Sequence, residues 1–154
     1  MIEQTIIENC IKTIKEQLHL SYETDLFIDF TAKDGLFNEG VERHLVKNAL
    51  FYDSTNGNYD FLSPDFDFFI FDTTYLSGLW YDDVHVIGCP PYDLAEQCIE
   101  VACKFAQSVS FIIPKAAQYA FPETHRLLFS ADLIGADNSS NEQLVFQIWI
   151  LTDC

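Results

Sequence analysis

The chain has 154 residues, 49% of them hydrophobic and 15% aromatic, with 21% charged, which suits one folded domain over residues 1–154 and excludes both disorder and two ordinary domains. Eight Lys and Arg stand against twenty-four Asp and Glu, a formal charge of −16. A field of that sign repels phosphate, so no direct nucleic-acid binding is expected, whereas a basic protein partner or simple solubility of an aromatic-rich surface would both account for it.

Residues 1–20 read as a leading amphipathic helix, because Ile7, Ile11, Ile14 and Leu18 recur at helical spacing on one face. Glu3, Glu8, Lys12 and Lys15 interrupt that segment, so it has neither the apolar run of a signal peptide nor that of a membrane span. Asp25–Asp29 reads as a strand followed by a loop around Gly35, and Ala49–Asp53 as a second strand stopped by the Asn56-Gly57 turn. Phe66–Phe71 and Val84–Gly88 are further β-rich runs, the latter ended by Pro90 and Pro91. From Asp93 to Gln107 the period becomes helical, with Leu94, Cys98, Val101, Ala102 and Phe105 on one face and Asp93 placed as a cap. Val109–Ile113, a weaker Arg126–Phe129 and a strong Leu144–Leu151 follow as strands, with Asp137–Asn141 as a loop between the last two. Alternating strands and helices predict a mainly parallel sheet with right-handed crossovers.

Five cysteines, Cys10, Cys89, Cys98, Cys103 and Cys154, form no CxxC pair and have no histidine at ligand spacing. Neither a disulfide framework nor a metal site is indicated, and a reducing intracellular compartment is the expectation. Cys98 and Cys103 fall on different helix faces, Cys98 as packing. His85 lies within a strand run and reads as a core or edge residue with a satisfied ring. His19, His44 and His125 are scattered, and no histidine has a Ser or Cys in a nucleophile motif, so no hydrolase triad is expected. Trp80-Tyr81 marks either a buried flank or a protein-binding patch.

Val86-Ile-Gly-Cys-Pro-Pro-Tyr92 resembles the catalytic motif of adenine-N6 and related amino methyltransferases, Asp/Asn/Ser-Pro-Pro-aromatic after a strand. Upstream, Asp29, Thr31, Ala32, Gly35 and Phe37 match the frame of that family's S-adenosylmethionine loop. Asp53 is similar to its acid after the second strand, and Asp67-Phe68 to the pair that contacts the cofactor's adenine. Phe111–Lys115 and Val145–Trp149 are similar to the fifth and last strands of a subgroup common in large DNA viruses and phages. The resemblance implies a class I methyltransferase fold of Rossmann type: a mostly parallel seven-stranded sheet with an antiparallel C-terminal hairpin and helices on both faces. It implies catalytic roles for Cys89, Pro90, Pro91 and Tyr92 and cofactor contacts for Asp29, Thr31, Ala32, Gly35, Asp53, Asp67 and Phe68.

The chain departs from the pattern at three positions. Cys89 stands where an amide or carboxylate oxygen should accept a hydrogen bond from the target NH2, and a thiol is a weak acceptor. Lys33 replaces the first Gly and Phe30 the Pro of the family's loop, where the cofactor must approach the backbone. Taken alone, Cys89–Tyr92 could simply be a Pro-Pro that stops a strand, and the three acids could be ordinary turn residues. With the motifs in order, the expectation is a methyltransferase-like domain that has lost catalysis and S-adenosylmethionine and serves as a structural or regulatory protein-binding subunit. No target-recognition domain is expected. The alternatives are an active amino methyltransferase that needs a basic partner, and an acidic DNA mimic or minor virion component.

Overall fold

The apolar repeat of the opening segment folds as helix α1 (Gln4–Gln17), which buries Ile7, Cys10, Ile11 and Ile14. Leu18 ends it, its backbone N–H bonding to the Ile14 carbonyl. The computed structural model describes residues 2–29, 31, 35–51, 83–133 and 143–152. Within these residues the expected strands form as β1 (Leu26–Asp29), β2 (Asn48–Phe51), β3 (Val84–Gly88), β4 (Ser108–Pro114), β5 (His125–Asp132) and β6 (Leu144–Leu151). The further strand expected at Phe66–Phe71 and the loop at Asp137–Asn141 lie outside the described residues, as does Trp80-Tyr81.

The described strands make a six-stranded sheet in the order β2-β1-β3-β4-β6-β5. β2, β1, β3 and β4 run parallel, whereas β6 is antiparallel to both β4 and β5. β6 therefore lies between β4 and β5, and its seven paired positions along β4 bury Val145, Phe146, Gln147 and Ile148.

Side chains alternate across the sheet, as the two-residue period of a strand requires. Leu26, Ile28, Val86, Val109, Phe111, Ile113 and Val145 face helix α3 (Ala95–Cys103) and the 3₁₀ segment Lys115–Ala120. Phe27, Ile87, Ile112, Phe146 and Ile148 face α1 and the connection between β1 and β2. Two apolar layers thus sandwich the sheet, giving the expected Rossmann-like architecture with helices on both faces.

Three details differ from the sequence reading. Between β1 and β2 the chain forms a short helix α2 (Asn38–Gly40) that runs into a π-helical turn, Val41–Leu45, closed by the Val46 N–H on the Val41 carbonyl at 3.2 Å. Phe37, Val41 and Leu45, four apart, are its buried stripe; the segment is too short for periodicity to distinguish it from a loop. Asp93 does not cap α3: it belongs to a 3₁₀ turn, Tyr92–Leu94, and Leu94 precedes the helix without a side-chain cap. Cys103 is buried in the same apolar cluster as Cys98 although it lies off that helix face, because the chain behind it turns inward to Ala106.

Candidate functional site

β1 leads to β2 on one side of the sheet, while β3 returns to the other side of β1. The strand order reverses between β1 and β3, and in an open α/β sheet such a point leaves a crevice beyond the carboxyl ends of the two strands. Asp29 ends β1, and Gly88-Cys89 ends β3. The two motifs of the sequence reading meet there.

One hydroxyl ties them together. Thr31 Oγ1 accepts the Cys89 backbone N–H at 3.0 Å and donates to Asp29 Oδ1 at 2.8 Å. The Thr31 backbone N–H bonds to the same carboxylate oxygen at 2.7 Å. The start of the loop after β1 is thereby fastened to the first residue of Cys-Pro-Pro-Tyr. Gly88 permits this approach: a Cβ there would collide with Thr31 Oγ1 and lie 3.0 Å from Asp29 Oδ1. The sequence reading passed over Gly88, although a glycine at a strand end signals close backbone approach.

Asp29 is buried, and burial pushes its carboxyl up to about 7 against the two Thr31 hydrogen bonds that pull it down. An acid that titrates near neutrality in a crevice is the kind of group found at functional sites. Here, however, its described contacts run inward to Thr31, where it holds the loop.

Cys89 is half-buried and packs against the apolar cluster that contains Cys10, Ile11 and Ile87. The Cys10 thiol is pushed up to about 12, first by burial and then by the proximity of Cys89. Pro90 is buried, and Pro91 precedes the 3₁₀ turn, its carbonyl accepting the Leu94 N–H at 2.9 Å. Tyr92 follows with 58% of its surface exposed. Beyond it, a cleft of about 270 Å³ is lined by Asp93, Glu96, Gln97, Pro114 and Ala117. A neighbouring cleft of about 460 Å³ continues along Glu96, Glu100 and Tyr119, the last 84% exposed.

Gly35 has φ 64°, the left-handed conformation that favours glycine, and its carbonyl accepts the Asn38 N–H at 3.3 Å. Among the described residues, Asn38 Oδ1 is buried without a hydrogen-bond partner. A left-handed glycine and an orphaned oxygen fit a loop built for a polar ligand close to the backbone, which is what S-adenosylmethionine requires. On the target side, Cys89 supplies a packed thiol at the position where the resemblance expects an oxygen acceptor. Ala32, Asp53, Asp67 and Phe68, to which the resemblance gives the remaining contacts, lie outside the described residues, as do the two departures Phe30 and Lys33. The structure therefore brings together Asp29, Thr31, Cys89 and Pro90, and places Gly35 and Tyr92 at the loops on either side.

His85 belongs to one alignment that the sequence concealed. Asp25, His85 and Ser108 are hydrogen-bonded in series at the amino ends of β1, β3 and β4. Ser108 is fully buried, so this is not a nucleophile open to substrate, and the His85 ring is satisfied as expected.

No family model matches the chain, and no curated protein matches it. Solved structures do. The 23S rRNA methyltransferase ErmE is similar with a TM-score of 0.56 at 8% identity, over 97% of this chain and 68% of that one. A candidate methylase, HI0767 from Haemophilus influenzae, is similar with a TM-score of 0.53 at 14% identity, over 97% of this chain and 98% of its own. Identity this low speaks to architecture rather than activity. With its reversal between β1 and β3, its antiparallel β6 and its helices on both faces, the chain has a class I methyltransferase-like fold.

Proposed function

We propose that this domain does not transfer methyl groups and acts as a structural or regulatory subunit that binds a basic protein segment. The observation that carries the reading is Cys89, which stands at the position that must polarise the target amine. Its thiol packs toward Cys10 and the α1 layer, and its backbone N–H is committed to Thr31. Electrostatic activation of an amine needs a strong acceptor aimed at the developing charge, and a packed thiol supplies none.

The surface beside the site supports the choice of partner. Tyr92 and Tyr119 are exposed, and the clefts that adjoin them carry Asp93, Glu96 and Glu100. Exposed aromatic rings interleaved with carboxylates favour Lys- and Arg-bearing segments through ion pairing and cation–π contact. The charge of −16 steers such partners toward the domain.

Incubation with isotopically labelled S-adenosylmethionine and single-stranded or duplex nucleic acid tests the loss of chemistry; no label transfer is expected, and transfer above a protein-free control would refute it. Gly35 favours a second reading, an active amino methyltransferase completed by a basic partner, because its left-handed turn keeps the shape of a ligand loop. That reading expects Cys89→Asn to raise transfer once the partner is present, and an unchanged zero rate would remove it.

A further inference from the structure

At the end of the sheet remote from Cys89, three strands bring together side chains far apart in sequence. The register sets Phe27 beside His85 and His85 beside Ser108. The His85 ring stacks on Phe27 with centroids 5.0 Å apart. Its Nδ1 lies 2.7 Å from Ser108 Oγ and its Nε2 3.0 Å from Asp25 Oδ2. Asp83, half-exposed just before β3, adds a second carboxylate, so that one ligand atom from each of Asp25, Asp83 and His85 lies within 4.8 Å of the others. Asp25 and His85 are 1% and 4% exposed.

A buried Asp–His pair by itself is a common structural device. Three further features point to a ligand here. Asp83 provides a solvent-facing side through which an ion can enter. Ser108 can donate to Nδ1 or accept from it, so the ring can carry its proton on Nδ1 and turn the Nε2 lone pair toward the two carboxylates. A metal-bound histidine typically has its remote nitrogen held in this way, and stacking on Phe27 fixes the ring plane as well. The overall charge of −16 concentrates cations near the surface. One imidazole nitrogen with two carboxylate oxygens suits a first-row transition metal better than Mg²⁺ or Ca²⁺, which take oxygen ligands.

We propose that Asp25, Asp83 and His85 form a binding site for a divalent first-row transition metal ion, Zn²⁺ in the first place, with solvent completing its coordination. On binding, the ring proton leaves Nε2 and is regained from solvent at Nδ1, which keeps it and hydrogen-bonds through it to Ser108 Oγ, so the imidazole stays neutral. The ion clasps the Ser21–Asp25 turn and β1 to the start of β3, independently of the chemistry at Cys89.

The test is titration of the full chain with Co²⁺, followed by competition with Zn²⁺ and with Mg²⁺. One equivalent of Co²⁺ should bind with ligand-field absorption and without a thiolate-to-cobalt charge-transfer band, and Zn²⁺ but not Mg²⁺ should displace it. Ser108→Ala should weaken binding about 10–100-fold by releasing the remote nitrogen, and Asp83→Asn, which is half-exposed and leaves the core intact, should weaken it at least as much. Circular dichroism of the metal-free variants checks that they fold. Absence of saturable binding, a spectrum dominated by thiolate ligation, or an affinity unchanged by Asp83→Asn would overturn the assignment.

Discussion

Gly88→Ala probes the joint between the two loops of the crevice. The added methyl would collide with Thr31 Oγ1 and sit 3.0 Å from Asp29 Oδ1 and 3.5 Å from Phe111 Cε1. Gly88 is held in register against Phe111 of β4, so the Thr31 side chain must rotate away. It then gives up the Cys89 N–H and the Asp29 carboxylate. A neutral hydrogen bond contributes about 1 kcal/mol and one to a charged group about 1.5–3 kcal/mol, so a loss of roughly 3 kcal/mol is expected. For a chain of this size each kcal/mol moves Tm by about 2–4 °C, which puts the fall at roughly 6–12 °C by circular dichroism. Thr31→Ala removes the same two bonds and also the atom that blocks the methyl. The double variant should therefore be no less stable than Thr31→Ala alone, a strongly non-additive pair. Additive losses, or a Gly88→Ala protein as stable as the parent, would refute the joint.

Two further outcomes follow from buried polar groups. Burial pushes the Asp29 carboxyl up to about 7 in the folded chain, from the ordinary carboxylate value of 3.8, so the folded state holds the proton more tightly; its contribution to stability is full below about pH 4 and is lost as pH rises through 7. Asp29→Asn should flatten the pH dependence of urea denaturation across that window and raise stability at pH 8, and an unaltered slope would count against the assignment. Gln147, fully buried on β6, donates to Gln118 and Ser130 and accepts the Trp149 indole N–H at 2.9 Å. Gln147→Leu should destabilise by about 1–3 kcal/mol, because these groups lose their partner inside the fold; chemical denaturation followed by circular dichroism reads the loss, and a neutral result would show that water replaces the amide.

The order of elements was legible because each strand and both main helices carry their burial pattern locally: Ile7, Ile11 and Ile14 repeat at helical spacing, and Leu144–Leu151 is rich in β-branched and aromatic residues. The Cys-Pro-Pro-Tyr motif and the acid at Asp29 were legible for the same reason, as short runs at strand ends. The α2 and π-helical segment was not, because Phe37, Val41 and Leu45 supply only two turns, and only α1 and β1 packed against it decide that it is helical.

The amino-acid sequence by itself determined the periodicities, the charge and the residue types at the strand ends, all of which are properties of neighbours along the chain. Tertiary structure alone decided that Thr31, bonded to Asp29, meets Cys89 across 58 residues, that Gly88 must lack a side chain, and that Asp25 meets His85 across 60. Those contacts depend on which strands lie side by side and in what register. Register is fixed by the burial of both apolar faces at once, a constraint that exists only when the whole sheet is assembled.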